Sequence, residues 1–292
     1  MTLPASPNTI SLNQVNTELG RTATATLSMN DSGLRTLFGV ASGQISMSQG
    51  WGKSSNVIGQ VAYTTAGSYT WTCPAGVYSV CVVAIGGGCG GPSSEYQGGN
   101  GGGGLGYKNN ISVSPGSTYT VVVGDVNSGG NPAGDSWFSS TATVRGLGGL
   151  YTNTSTGGAG GSYVGDGGGA GGAGGDANSG GGYYAGGGGA GGYSGNGGHG
   201  GNWDGSGATA GSGGAGGGGA TGWSGGGVGI FGQGSSGAAG SGSNGGAGSG
   251  GSGLAYGAGG WPAVGGTSSY RGAVRIIWGS GRAFPSSGTA DQ

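Results

Sequence analysis

The sequence contains very little charge. It has 8 basic and 9 acidic residues among 292, and no Lys or Arg lies between Arg145 and Arg271. A nucleic-acid partner is therefore not expected, because phosphate binding needs clustered basic residues. The low charge also disfavours disorder of the common kind, in which a high net charge keeps the chain extended.

Long apolar runs and a set of paired cysteines are lacking as well. No run approaches the ~18 apolar residues of a membrane span, and the stretch MTLPASPNTISLN lacks the basic and apolar parts of a signal peptide. We therefore expect neither membrane insertion nor Sec export. The three cysteines, Cys73, Cys81 and Cys89, are too few for a disulfide framework and are not spaced like zinc ligands. We expect them to be buried free thiols.

Proline is missing where glycine is most abundant. The chain has 89 Gly and 8 Pro, and residues 157–260 contain no proline at all. Collagen is excluded by this lack of proline. The glycine content excludes an α-helix and leaves too few side chains for an ordinary sheet. A disordered linker is the alternative, and the aromatic residues in this region disfavour it.

The glycine-rich region has a period of three. The stretch GAGGYSGNGGHGGNW places Ala190, Tyr193, Asn196, His199 and Asn202 three residues apart. Three residues per turn is the period of the polyproline II conformation. Unlike proline, glycine keeps its N–H group, so neighbouring chains of this kind can hydrogen-bond to one another. The pattern predicts an inserted bundle of polyglycine II helices in residues 157–266.

Aromatic residues interrupt this period, and we expect them in the loops at which the helices reverse. Rigid aromatic side chains among small polar residues are typical of recognition surfaces. The alternative is that some of them pack against the rest of the protein. The predicted receptor-binding residues are Tyr183, Tyr184, Tyr193, Trp203, Trp223 and Phe231.

Residues before the glycine-rich region favour β-structure. The runs SYTWTC and VYSVCVVAI flank a turn at 74–76, and YKNNISV and TYTVVVG flank another at 114–117, so we predict two hairpins. A third, shorter pair is predicted at 136–139 and 142–147.

The run GAVRIIWG at 272–279 stands alone after the glycine-rich region. A lone late strand needs partners. We therefore predict that it returns to the earlier strands and closes a β-sandwich made of residues 59–156 and 267–282, followed by a tail at 283–292.

Residues 1–58 have an ordinary composition and two helical patterns. Ser11 can cap the first helix, and Asn30 or Asp31 the second. A head of this size has little core of its own, so we expect it to need a partner surface. A DNA-binding helix-turn-helix is the alternative, and too few basic residues support it. The predicted docking residues are Leu12, Val15, Leu19, Leu34, Leu37 and Phe38. The predicted fold class is thus mainly β and irregular, with a small helical N-terminal head, a β-sandwich and the inserted glycine-rich bundle.

Several segments resemble a known family. A Trp-containing strand, a PAGV turn, an apolar strand that runs into Gly-Gly repeats and the closing GAVRIIWGSGRAFPSSGTADQ resemble glycine-rich structural proteins of tailed bacteriophages. The glycine-rich region resembles the adhesins at the tips of T-even-like tail fibres, in which loops of bundled polyglycine II helices touch the host. SLNQVNTELG, LRTLFG and SGQISMSQGWGKS resemble an N-terminal module of phage and prophage tail proteins.

The resemblance implies a non-enzymatic virion protein, a tail fibre or tail-tip adhesin made in the host cytoplasm. Residues 1–58 would bind other tail proteins, and the loops would bind a host surface glycan or an outer-membrane protein. A homo-oligomer such as a trimer is compatible with the resemblance, but nothing in the sequence requires one. A purely structural tail or capsid decoration is the alternative, and an ice-binding protein is a remote one.

We expect no catalytic residue, metal or cofactor. His199 lies in phase with the glycine repeat and has no nucleophile motif beside it. Asp166, Asp176 and Asp204 do not form the dense carboxylate loop that calcium usually requires.

Overall fold

The computed structural model describes residues 3–53, 58–91, 97–127, 130–177, 184–204, 206–220, 222–241, 256–260, 270–279 and 281–286. These residues form two short helices, a 3-10 turn and two antiparallel five-stranded sheets. The predicted fold class, mainly β and irregular with a small helical head, is confirmed. Within the described ranges, no helix has the length and apolar character needed to cross a membrane.

The head contains helices α1 (Leu12–Glu18) and α2 (Ser32–Phe38). Ser11 begins α1 with a capping box, in which side chains satisfy N–H groups that the first turn leaves unpaired. The Asp31 carboxylate accepts an N–H of the first turn of α2. Gly39 ends α2 in the left-handed conformation, with φ of 74°. Both helices therefore begin at caps that the sequence predicts.

The head has a hydrophobic core of its own. Its buried members are Leu3, Ile10, Val15, Leu19, Leu34, Leu37, Phe38 and Ile45. The predicted docking residues Val15, Leu19, Leu34, Leu37 and Phe38 are thus buried against one another, and their assignment to an exposed docking face is wrong. Of the six predicted residues, Leu12 alone stays exposed, at 48%. The apolar faces of the two helices pack against each other and not against a partner protein.

Ten strands build the two sheets within the described residues. They are β1 (Gly59–Tyr63), β2 (Gly67–Thr72), β3 (Ser79–Ile85), β4 (Leu105–Ser112), β5 (Thr118–Val123), β6 (Ser136–Phe138), β7 (Val144–Gly146), β8 (Tyr163–Val164), β9 (Gly167–Gly169) and β10 (Ala273–Trp278). The first sheet has the order β1-β10-β3-β4-β9, and the second has the order β2-β5-β6-β7-β8. Strand β10 pairs with β1 and β3, which confirms the predicted return of the late strand.

Two of the three predicted hairpins are wrong. Strands β2 and β3 flank the turn at 74–76 but lie in different sheets, and the same holds for β4 and β5 around 114–117. Each turn carries the chain from one sheet to the other, so that Trp71 and Val80 face each other in one core. The third predicted pair, β6 and β7, is an antiparallel hairpin as expected.

The two sheets pack face to face, as the predicted sandwich requires. At the centre of the shared core, the Trp71 ring lies 5.8 Å from the rings of Phe138 and Trp278. Alternate residues of β3 and β10 point the other way, and there Cys81 and Ile277 pack beneath the glycine-rich segments. Strands β3 and β10 are therefore buried on both faces of the first sheet, which explains their near-continuous apolar runs. The glycine-rich segments form a third layer of the protein.

Segment 98–104 is the first central chain of this glycine layer. Its N–H groups donate in rotation to three neighbouring segments, and every third N–H returns to the same neighbour. Gly98, Gly101 and Gly104 donate to the carbonyls of Thr154, Leu150 and Leu147, Gly99 and Gly102 to those of Gly175 and Gly172, and Asn100 and Gly103 to those of Gly260 and Gly257. Its carbonyls accept N–H groups from three further segments, 86–89, 158–161 and 188–191. Six chains thus surround it.

Segment 184–192 repeats this arrangement. Gly186, Gly189 and Gly192 donate to Gly201, Gly198 and Gly195, Gly187 and Ala190 to Trp223 and Gly226, and Gly188 and Gly191 to Asn100 and Gly103. The two central chains are therefore neighbours. Residues 97–106 and 185–193 are buried throughout, so the interior of this layer consists largely of main chain.

Close approach explains why these segments contain so much glycine. A Cβ atom placed on Gly99, Gly102 or Gly188 would come within 3.0 Å of a neighbouring main-chain atom, a distance that real Cβ atoms essentially never show. Ordering each residue costs about 1–2 kcal/mol, and a hydrogen bond returns only about 0.5–1.5 kcal/mol. The layer gains further support because segment 86–91 continues β3 and segment 98–104 leads into β4.

Replacing Gly102 with Ala should destabilise the protein by about 3 kcal/mol or more, because its methyl group overlaps the Gly189 carbonyl. Urea unfolding followed by tryptophan fluorescence measures the loss. Ala159→Ser is the control, since it also adds one heavy atom to the repeat but at an exposed position. Equal stability of both variants would contradict the close packing.

Candidate functional site

The layer has an end that lies away from the strands. Segment 86–91 leaves β3 and segment 98–104 enters β4, so residues 91 and 98 lie remote from the first sheet; we call this region the far end. Main-chain hydrogen bonds connect the residues of this end across the layer. Thr154 accepts from Gly98, and the chain of N–H donors Gly99, Gly175, Gly186 and Gly201 leads across to Gly219.

Trp203, Trp223 and Tyr184 lie at the far end, as the loop prediction requires. The main-chain N–H of Trp203 donates to the Asp176 carbonyl at 2.9 Å. The carbonyl of Trp223 accepts the Gly187 N–H at 2.8 Å, and that of Tyr184 accepts an N–H at 2.9 Å. Their main chain is thus part of the network, while the Trp203 and Trp223 side chains are 36% and 42% exposed. Tyr184 is half-buried.

The charges beside these rings are negative. The Asp204 carboxylate accepts the Ser206 O–H at 2.6 Å and its N–H at 2.8 Å, and these bonds lower the pKa of Asp204. The exposed carboxylate of Asp176 accepts the Gly157 N–H at 2.8 Å. The Asn202 side chain accepts the Asp176 N–H at 3.0 Å. Carboxylates and amides held in this way present fixed acceptors near Trp203.

Tyr193 does not lie on an exposed loop, so that prediction is wrong. It is fully buried between the glycine layer and the first sheet. Its hydroxyl donates to the Gly229 carbonyl and accepts the Gly232 N–H, both at 3.0 Å. The ring stacks on Phe284 with centroids 5.9 Å apart. Burial raises the pKa of Tyr193 well above its usual range.

Phe231 was also misplaced by the loop prediction. It is partly buried against the same cluster as Tyr193, and the Arg275 guanidinium lies 4.8 Å from its ring centroid. Both aromatic residues therefore join the glycine layer to the first sheet. The period of three is interrupted at both ends of the glycine segments, and these two residues lie at the end that meets the sheet. The remaining predicted residue, Tyr183, lies outside the described residues.

Arg275 was missed by sequence reasoning. It is fully buried on the face of β10 that carries the glycine layer. Its Nε donates to the Gln60 side chain at 2.9 Å and its Nη1 donates to the Ile230 carbonyl at 3.2 Å. A lone arginine inside the apolar run AVRIIW is the signal that could have indicated a buried polar contact at this join.

The cysteines are buried and free, as expected. Burial raises the pKa of the Cys89 thiol to about 12. Among the residues that the structure describes, no three His, Cys, Asp or Glu side chains come close enough to hold a metal ion.

No family model matches the sequence, and no curated protein is significantly similar to it.

The substitution Tyr193→Phe should lower the free energy of unfolding by about 1–3 kcal/mol, because it removes a hydroxyl that donates to a buried carbonyl and accepts from a buried N–H. Tyr163→Phe is the matched control, since Tyr163 is 36% exposed. Urea titrations at neutral pH compare the two. A loss no greater than that of the control would argue against a structural role for this hydroxyl.

Stability should also fall as the pH rises from about 9 to about 12. The Cys89 thiol ionises near 9.0 in an unfolded chain, whereas its pKa in the fold is about 12, so deprotonation favours the unfolded state within this window. Thermal unfolding across this pH range should show a shallower decline for Cys89→Ala than for the unsubstituted protein. Parallel declines would show that this thiol is not buried as described.

Proposed function

We propose that this chain is a non-enzymatic virion protein of a tailed bacteriophage, a tail-fibre or tail-tip adhesin that contacts the host through the far end of its glycine layer. The observation that carries the proposal is the exposure of Trp203 and Trp223 on a hydrogen-bonded main-chain platform. Tryptophan is enriched among residues that dominate binding energy. Two large rings held in solvent among small polar residues therefore favour recognition.

The conformation of the platform belongs to this proposal. In polyglycine II, three residues complete a turn, so successive N–H groups point in three directions. The rotation of donors along 98–104 and 186–192 supports this conformation, as does the fact that none of the glycines in these two segments has a positive φ. A platform of this kind restricts the loops before a ligand arrives, which lowers the entropic cost of binding.

The N-terminal head is proposed to attach the protein to the virion tail. Since its apolar helix faces are buried in its own core, attachment would use exposed side chains instead. Leu12 and Trp51 are 48% and 40% exposed, and both belong to the head. In this proposal, the head attaches the protein to the virion tail, and the far end binds the host cell surface.

The test is binding of the fluorescently labelled chain to a panel of bacterial cells, measured by flow cytometry over a range of protein concentrations. Trp203→Ala and Trp223→Ala should each weaken saturable binding by about tenfold or more, as expected for a residue that contributes about 1.4 kcal/mol or more. Trp51→Ala is the matched control, because it removes a similarly exposed tryptophan from the head.

Thermal unfolding of the three variants establishes that each remains folded. If both far-end variants bind cells as well as Trp51→Ala does, the aromatic loops are not the contact surface. A structural tail or capsid decoration would then account better for the rigid layer.

A further inference from the structure

We infer that the far end of the glycine layer binds a neutral polysaccharide of the bacterial surface, an inference that rests on the proposed function. The features that point to this ligand are two exposed indole rings, fixed carboxylate and amide acceptors near Trp203, and the lack of any basic residue in the surrounding sequence.

Charge argues against an anionic ligand. No Lys or Arg occurs between Arg145 and Arg271, whereas Asp176 and Asp204 are exposed at the far end. Phosphate, sulfate and uronate groups are usually held by arginine or lysine. A polymer that carries such groups would meet like charges here, and like charges across an interface are unfavourable.

The basic residues Lys108 and Arg145 of the neighbouring strands do not supply positive charge to the far end. Lys108 lies on β4 and pairs with Asp166 at 3.0 Å. Arg145 lies on β7 and pairs with Asp135. Both belong to the sandwich, at the opposite end of the segments from Trp203. The described segments that form the far end therefore offer acceptors and aromatic faces and contain no Lys or Arg.

The shape of the surface favours a flat, hydroxyl-rich ligand over a protein. Apart from the half-buried Tyr184, the tryptophans have glycine and small or polar residues as their chain neighbours, and such residues provide little apolar area for the roughly 800 Å² that each partner of a stable protein interface buries. A pyranose ring needs less, because its C–H face stacks on one indole face while its hydroxyl groups donate to acceptors. The Asp204 carboxylate, oriented by Ser206, is such an acceptor.

The two tryptophans are placed to contact the same polymer chain. Trp203 follows segment 195–202 and Trp223 begins segment 223–228, and both segments bond to the central segment 184–192. Gly186 donates to Gly201, and the next residue, Gly187, donates to Trp223. Two weak sugar contacts on one rigid support reinforce each other, since the second forms at a high effective concentration.

The experiment uses the labelled full chain and the cells that bind it. One portion of cells is treated with periodate, which cleaves vicinal diols of sugars, and another with a broad protease that removes exposed surface proteins. Periodate should lower binding by about tenfold or more, and the protease should leave it unchanged. Raising the NaCl concentration from about 50 mM to about 500 mM should change the apparent Kd less than twofold, because no ion pairs form.

Two variants separate ring stacking from simple apolar contact. Trp203→Phe should retain binding to within about threefold, whereas Trp203→Leu should lose it by about tenfold, because leucine has no flat face for a sugar ring. Thermal unfolding confirms the fold of each variant. Equal binding by the two variants would contradict sugar stacking.

The outcomes separate this inference from the proposed function. Binding that survives periodate but is lost after proteolysis would identify a protein receptor and overturn the inference while adhesion stands. A steep loss with salt would show attraction between opposite charges, as for a cationic polymer on the carboxylates of this end, and would overturn it as well. Failure of the intact chain to bind any cell of the panel would reject the proposed adhesin function itself.

Discussion

The main-chain hydrogen bond between closely packed glycine segments is the interaction on which the rest of the structure depends. Each N–H of the central segments 98–104 and 186–192 finds a carbonyl on one of three neighbours, and the same neighbour returns every third residue. Such contacts require that almost no side chain stands between the chains. A buried layer without a hydrophobic interior is possible only because its polar groups satisfy one another.

This constraint also determines where chemistry can reside. Inside the layer, side chains are nearly excluded, so large residues collect where the segments end. At the end that meets the first sheet, Tyr193 and Phe231 pack with the buried Arg275 and join the two layers. At the far end, Trp203 and Trp223 face solvent. Because large side chains are excluded from the interior of the layer, they form a buried cluster at one end and the proposed contact surface at the other.

The sequence predicts much of this arrangement through its local patterns. Helix caps and the period of three depend on neighbouring residues and can be read along the chain, and the return of β10 follows because an isolated apolar strand needs partners elsewhere. The hairpins at 74–76 and 114–117 failed because a turn does not reveal whether it reverses within a sheet or crosses to another. The central role of 98–104 lay outside the predicted glycine region, since its neighbours come from distant parts of the chain. Tyr193 looked like any other interruption of the repeat, because a period carries no sign of which end meets the sheet.

Native-state hydrogen exchange, resolved by residue, tests the central claim most directly. If the network exists in solution, the amides of Gly98 to Gly104 and Gly186 to Gly192 should exchange as slowly as those of β3, since all of them would open only when the whole protein unfolds. Exchange of these glycine amides at the rate of an unstructured chain, with β3 still protected, would show that no hydrogen-bonded layer exists and would remove the support on which the exposed tryptophans stand.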